Sequence, residues 1–293
     1  MSMERADLAP APAEAEPRSR LAETAAALGG SGSFLVGLGI VAFWIVCALF
    51  GESFAPYDPL ADDIINSLAP PSAEHWFGTD QIGRDVFSRV IVGSRDILTV
   101  APLATLLATV AGTALGLIIG YFRGLVDDIV SRIFEAFLAV PVVIVALLIV
   151  VALGPSKPTV IFVIGLSFTP LIARTVRSVV LTERELDYVA AAKLRRENAF
   201  YILFVEILPN VVPPILVEST VRLGYAIFAV ATLSFMGFGI QPPSPDWGLS
   251  ISSNYGMIGG GYWWTVLFDA IAIATLVIGV NLIADGVQGA LDA

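Results

Sequence analysis

The sequence predicts an all-α membrane protein of about six transmembrane helices, and three observations predict it. Of 293 residues, 56% are hydrophobic and only 14% charged, where a soluble domain carries roughly a quarter charged residues. Mean hydropathy is +0.82. Several windows approach or reach the roughly 20 mostly apolar residues that a bilayer crossing needs. The basic residues are also shared unevenly between the loops that join those windows, as in membrane proteins with a fixed orientation.

Residues 1–32 are rich in Ala, Pro, Glu and Gly and have no hydrophobic face. They read as a disordered cytoplasmic tail, with the transmembrane domain occupying 33–293. They do not read as a cleavable signal, because the apolar run that follows lies too far in and is too long. The first span is 34–50. The polar stretch after it carries Pro56, Asp58, Pro59, Pro70 and Pro71. Its end, 86–98, has helical periodicity and reads as a short interfacial helix.

The second span, 98–121, places Gly112, Gly116 and Gly120 four apart on one helix face, a spacing that lets another helix come close. The third span, 133–153, ends in a turn marked by Gly154, Pro155 and Pro158. The fourth is 159–173, with Pro170 near its end. A polar segment, 174–210, leads to the fifth span, 213–235. A loop rich in Gly, Pro and Ser, 236–264, precedes the sixth, 265–283. Pro102 and Pro141 read as kinks within spans. Pro170, Pro213 and Pro214 read as prolines tolerated at helix ends or in a first turn.

With the N-terminus inside, eleven Lys and Arg fall on the cytoplasmic side: Arg5, Arg18, Arg20, Arg123, Arg132, Arg174, Arg177, Arg184, Lys193, Arg195 and Arg196. Four fall outside: Arg84, Arg89, Arg95 and Lys157. Arg222 remains within the fifth span. The bias predicts both termini inside, the 174–210 segment cytoplasmic, and the two long loops outside.

Composition and motifs exclude several classes. A net charge of −10 argues against nucleic acid. No G-x-x-x-x-G-K-[ST] phosphate loop occurs, so the chain is not expected to bind ATP by that device. No Cys/His cluster has metal-ligand spacing. Cys47 is a lone cysteine in an apolar run and reads as a packed hydrophobe. His75 is the one histidine and reads as a hydrogen-bonded loop residue. No nucleophile–base pair is apparent, so no catalytic, cofactor-binding or metal residue is assigned.

Two features stand out. Glu218 and Arg222 lie four apart in the fifth span and share a face. Charges in a span are costly and face the protein interior or a water-filled cavity, so they read as an intrahelical pair or as lining a pathway. Asp269 in the sixth span is a similar case. The 174–210 segment reads as two short helices with a small-residue surface, Leu186-Asp187-Tyr188-Val189-Ala190-Ala191-Ala192 and then Phe200 to Leu208-Pro209. It suits either an ordinary amphipathic loop or docking into a partner's groove.

That segment resembles the cytoplasmic "EAA" loop of ABC-importer permeases. Ala191 and Ala192 match its two alanines, and Leu208-Pro209 fall at the matching distance. Ala190 stands where the family usually has Glu, and Arg196 where it usually has Gly, so either the turn between the two helices differs or the docking geometry has drifted. Three further stretches resemble dipeptide/oligopeptide/nickel-type permeases: His75-Trp76-Phe77-Gly78-Thr79-Asp80-Gln81-Ile82-Gly83-Arg84-Asp85-Val86-Phe87-Ser88-Arg89; Leu233 to Pro243 with Trp247-Gly248; and Asn281 to Gly286 with Ala290-Leu291-Asp292. Together they cover the chain from about Phe34 and point to the second, C-type, permease subunit. Val230 and Asp269 depart from that family's usual Glu and Pro.

The resemblance implies a type I ABC importer permease fold with a cytoplasmic coupling helix, in a bacterial cytoplasmic membrane. It implies a homologous B-type permease subunit, two ABC ATPase domains and an extracytoplasmic substrate-binding protein as partners. ATP and Mg would then be bound by the ATPases and not by this chain. Asp187, Tyr188, Ala191, Ala192, Arg195, Arg196, Leu208 and Pro209 would meet the ATPase, and peptides or similar small solutes would be the cargo. The competing reading is a self-sufficient secondary transporter or channel, which would show inverted repeats and broken midplane helices; none is visible. A non-transporting structural membrane protein is a third.

Overall fold

The computed structural model describes residues 27–291. Most of the expected tail (residues 1–26), together with Asp292 and Ala293, lies outside the described residues. Residues 27–30 are helical, just inside the boundary expected for the tail.

Nine helices carry the described chain: α1 Gly32–Phe54, α2 Val86–Phe122, α3 Gly124–Leu138, α4 Val142–Leu153, α5 Lys157–Glu183, α6 Asp187–Leu194, α7 Leu208–Phe235, α8 Trp247–Asn254 and α9 Trp264–Leu291. A helical turn, Ala199–Tyr201, and a π-helix, Ile202–Ile207, run directly into α7. Five segments are long and apolar enough to span a membrane, and α3 with α4 makes a sixth as a pair bent by 90°.

Side-chain caps set where several helices begin. Ser31, Asp85, Ser156 and Asp246 each accept a backbone N–H from the first turn of α1, α2, α5 and α8, satisfying donors that the helix itself leaves free. Left-handed residues separate others. Arg123, at φ 53°, divides α2 from α3, and Gly154, at φ 83°, ends α4.

Several expected boundaries move. The separate interfacial helix over 86–98 is the start of α2, which runs unbroken for 37 residues. Asp85 caps it at the outset, and nothing at residue 98 interrupts its hydrogen-bond ladder. The single third span is instead the α3–α4 pair, broken at Pro141, the residue before α4. Proline has no N–H to donate and disfavours helix in the residue before it, so the polar, amphipathic α3 and the apolar α4 separate there. The helix that carries the fourth span does not stop at 173, since α5 continues to Glu183. Pro170 is thus interior to a helix, not at its end, and so are Pro213 and Pro214 in α7.

The tightest seam joins α2 to α5. A Cβ placed on Gly112, Gly116 or Gly120 would stand 2.8, 2.6 or 2.8 Å from a Cβ of Ile172, Val176 or Val180. The three glycines therefore form a groove that receives a β-branched ridge spaced four residues apart. A second close approach sets Gly37 of α1 against the Gly279 carbonyl of α9, where an added Cβ would lie 2.6 Å from the oxygen.

The chain alternates between two ends of this bundle. One end holds the link between α1 and α2, the turn between α4 and α5, and α8. The other holds the 184–198 segment and the α2–α3 junction.

Candidate functional site

At the α8 end, the segment from His75 to Arg89 folds as a polar plug. Asp85 caps α2 with Oδ2 accepting from Ser88 N at 2.8 Å, while Oδ1 is bonded to His75 Nδ1 at 2.9 Å. Asp80 Oδ1 accepts the backbone N–H groups of Ile82 and Arg84, and Oδ2 accepts from Arg84 Nε at 2.8 Å. Arg89, 2% exposed, donates to the carbonyls of Pro59 and Ser244. Aromatic rings seat the plug. Phe77 stacks on Phe268 at 3.8 Å, Trp264 Nε1 donates to the Thr79 carbonyl, and Trp247 Nε1 donates to the Val90 carbonyl. Asp80, Asp85 and Arg89 satisfy backbone groups in and beside the plug that burial would otherwise leave without partners.

Asp246 belongs to the same region. Its Oδ1 caps α8 through Leu249 N at 2.8 Å, while Oδ2 is buried without a hydrogen-bond partner. Burial pushes its carboxyl up to about 6.

Asp269, read from sequence as an intramembrane polar candidate, is 0% exposed in α9, and neither of its oxygens has a hydrogen-bond partner. The charged groups that act on it are Arg89, Asp246 and Asp80, not Glu218 or Arg222. Full burial keeps its side chain from facing an open cleft.

Glu218 and Arg222 are brought together. Arg222 Nε donates to Glu218 Oε1 at 2.6 Å, and the guanidinium lies 5.6 Å from the Tyr225 ring centre. Arg222 is also on the wall of a largely apolar cleft of about 260 Å³ between α4, α5 and α7, with Phe168, Tyr225 and Phe228. The intrahelical pair is present, and Arg222 also borders this cleft.

At the opposite end lies the segment centred on α6. Asp187 sits in its first turn and Lys193 in its last, each matched to the helix dipole. Val189 and Ala192 are fully buried, whereas Ala190 and Ala191 are exposed. The two adjacent alanines therefore do different work. Ala192 packs α6 onto the bundle, and Ala191 faces outward. Tyr188 is half-buried and donates its hydroxyl to Glu183 Oε2 at 2.7 Å. Burial, with the neighbouring Glu183 carboxylate, pushes its hydroxyl up to about 12.

The turn after α6 corrects one expectation. Arg196 takes a left-handed conformation at φ 61°, the one glycine adopts readily. The N–H of Glu197 reaches the Ala192 carbonyl at 3.2 Å, and the N–H of Arg196 reaches that of Lys193 at 3.0 Å. Those two bonds form the usual glycine-type helix stop, so the turn keeps its shape with arginine in place. Arg195 then ties the segment to the next helix through Glu206, Nη2 to Oε1 at 2.6 Å, and Asn198 caps that helix through Tyr201 N.

Pro209 is exposed and Leu208 half-buried in the first turn of α7. The Leu208 N–H bonds to Leu203 O, one residue further back than in an α-helix. This π-turn precedes the proline, which has no donor to offer.

The exposed apolar surface here is larger than the motif suggests. Leu194 is 85% and Phe200 71% exposed, and Phe200 packs 4.5 Å from Phe204. The sequence pattern places Phe200 and Phe204 on the second short helix without showing their exposure, and does not single out Leu194. The signal available was an apolar residue at the last position of α6 and a pair four apart at the start of the next helix.

Comparison with known proteins bears on this arrangement. Residues 112–293 match the family described as binding-protein-dependent transport system inner membrane component, and residues 32–71 match the N-terminal TM domain of oligopeptide transport permease C. A dipeptide transport system permease protein of Alkalihalophilus pseudofirmus is 41% identical over 258 residues, covering 88% of this chain and 84% of that protein. A glutathione transport system permease protein of Pectobacterium atrosepticum is 34% identical, covering 89% and 85%. Among solved structures, an inward-facing form of the MetNI methionine ABC transporter matches with a TM-score of 0.57 at 18% identity, over 69% of this chain and 96% of that one.

Proposed function

Since the chain belongs to the inner membrane components of binding-protein-dependent transport systems, as a C-type permease, we propose that it forms half of the membrane pathway of an ATP-driven importer of peptides. The observation that carries this reading is the α6 segment. It is a rigid helix–turn–helix at one end of a multi-pass bundle, presenting Leu194, Phe200 and Ala191 to solvent. Leu194 and Phe200 are large, mostly exposed apolar side chains, and they suit the groove of a partner.

The partner is an ABC ATPase. The chain has no phosphate loop of its own, so ATP and Mg are bound by the ATPase pair. Closure of that pair moves α6, and the tie from Arg195 to Glu206 passes the movement to α7. Asp187, Tyr188, Ala192, Arg196, Leu208 and Pro209 position this surface, the buried ones from beneath. The end that carries α6 is cytoplasmic, which agrees with the distribution of basic residues. A homologous B-type permease supplies the other half of the pathway.

The opposite, outer end receives a substrate-binding protein. It presents a cleft of about 920 Å³ edged by Tyr57, Arg95, Lys157 and Gln241. Relatives named for dipeptide and glutathione transport support short peptides as cargo.

The test is co-purification followed by reconstitution. The chain should bring down a P-loop ATPase, and the assembled complex with its binding protein should take up labelled dipeptide only when ATP is hydrolysed. Solute uptake by the purified chain alone, driven by an ion gradient, would establish the secondary-transporter reading instead.

A further inference from the structure

Two adjoining clefts open on the half of the bundle nearer α6. One, of about 390 Å³, lies between α3 and α5 and is walled by Ser131, Phe134, Glu135, Arg174, Arg177 and Ser178. The other, of about 330 Å³, lies between α5 and α7, and its wall includes Arg174 and Arg222. Arg174 stands on the rim between them.

The charges of these clefts are not equivalent. Arg177 is committed to Asp127 by two bonds, Nε to Oδ1 at 2.6 Å and Nη2 to Oδ2 at 2.7 Å, which clamp α5 to α3. Arg222 is committed to Glu218. Arg174 and Glu135 are exposed, and among the described residues neither has an oppositely charged group within 4 Å or a side-chain hydrogen bond. Among the described residues, the first cleft therefore holds one cation and one anion, Arg174 and Glu135, that lack a charged partner.

Both side chains are exposed, so water solvates them in the empty cleft, and a ligand that displaces that water must answer both charges. A ligand that satisfies both ends carries a carboxylate and an ammonium. The guanidinium fork fits a carboxylate with two parallel bonds. Ser131 and Ser178 add hydroxyls, and the buried Phe134 ring supplies an apolar wall. The volume falls in the range of small-molecule sites.

We propose that the cleft between α3 and α5 is a zwitterion site on the transport path, where Arg174 holds the carboxylate and Glu135 the ammonium of a short peptide. The proposal rests on the peptide reading given above. It makes this membrane chain a specificity element in its own right, selecting peptides with both termini free. A zwitterionic lipid headgroup carries the same two charges and is the rival occupant.

The experiment uses the complete complex of permeases and ATPases, in phosphatidylglycerol nanodiscs without ATP or binding protein. Binding of labelled tri-alanine is compared with that of its C-terminal amide and its N-acetyl form. Wild type should bind the free peptide about tenfold more tightly than either capped form, the magnitude of one lost charged hydrogen-bonded contact. R174Q should weaken the free and N-acetyl peptides about tenfold and leave the amide unchanged. E135Q should weaken the free peptide and the amide and leave the N-acetyl form unchanged. R174K should recover part of the loss.

No binding by wild type, no discrimination among the three peptides, or equal loss of all three in R174Q overturns the proposal. So does retention of added phosphatidylethanolamine by wild type and not by R174Q, with displacement of peptide. ATP-driven dipeptide uptake by the wild-type complex is measured beside it. Uptake without discrimination removes only the zwitterion site, whereas no uptake removes the peptide reading beneath it.

Discussion

The Glu197 N–H donates to the Ala192 carbonyl at 3.2 Å across Arg196, so the helix stop after α6 is built on an arginine held at φ 61°. A side chain in that region costs about 1 kcal/mol relative to glycine. Arg196→Gly should therefore tighten the turn, slowing hydrogen exchange at the Glu197 amide by up to about fivefold. Arg196→Ala removes the same charge but keeps a Cβ, so it should show no such gain. Equal protection in both variants would mean that the arginine conformation carries no strain.

Gly116 and Gly39 make opposite predictions for the same substitution. A Cβ on Gly116 meets the Val176 Cβ at 2.6 Å and the Ala173 carbonyl at 2.7 Å, whereas one on Gly39 has nothing within 4 Å. Alanine favours helix over glycine by up to about 1 kcal/mol, so Gly39→Ala should be neutral or mildly stabilising. Gly116→Ala should lose about 1–3 kcal/mol through overpacking, read as a lower melting temperature of the purified protein in detergent. Gly112→Ala and Gly120→Ala should behave as Gly116→Ala does.

These cases show which kinds of feature a sequence reveals. The glycine seam was legible because spacing by four on an apolar helix has one geometric meaning. The existence of the spans was legible from hydropathy alone. Their ends were not. Residues 86–98 and 174–183 carry charges, yet they continue α2 and α5, because a helix in a bundle can extend past the apolar layer when its hydrogen-bond ladder is uninterrupted. A kink at Pro141 was legible as a proline inside a span, but its size was not: the chain turns by 90° there, because the amphipathic α3 and the uniformly apolar α4 bury different faces. Within the α6 segment, local pattern identified the element but not its faces. Only packing distinguishes buried Ala192 from exposed Ala191, and a consensus pattern said nothing of Leu194 and Phe200. The isolation of Asp269 from Glu218 and Arg222 is a fact of tertiary placement with no local trace.

Leu194 separates docking from folding. It is 85% exposed, and Val189, five residues earlier on the same helix, is fully buried. Leu194→Asp should leave expression and melting temperature unchanged while reducing ATP-coupled uptake at least tenfold, with ATP hydrolysis no longer stimulated by loaded binding protein. Val189→Asp places a charge in the packed interface and should lower the yield of folded protein. Normal coupling in Leu194→Asp would remove this side chain from the docking surface.

Asp246 gives the protein a pH-dependent stability with a definite sign. Burial raises its carboxyl from 3.8 to about 6 in the folded protein, outweighing the Leu249 and Gly248 N–H groups and the Ser234 hydroxyl that favour the charged form. The folded state therefore binds this proton more tightly than the unfolded state does. Its contribution is fully present below about pH 4 and is lost as pH rises through about 6. Over that window a shift of this size corresponds to about 3 kcal/mol. Asp246→Asn keeps an oxygen to cap α8 at Leu249 and cannot ionise. The variant should match wild type near pH 4 and melt at a higher temperature at pH 8, with the difference opening between those limits. Because other carboxylates titrate in the same range, the quantity to follow is the difference between the two proteins at each pH. A difference that stays constant from pH 4 to pH 8 would show that Asp246 does not titrate in this window, and that its unpartnered oxygen is satisfied by water.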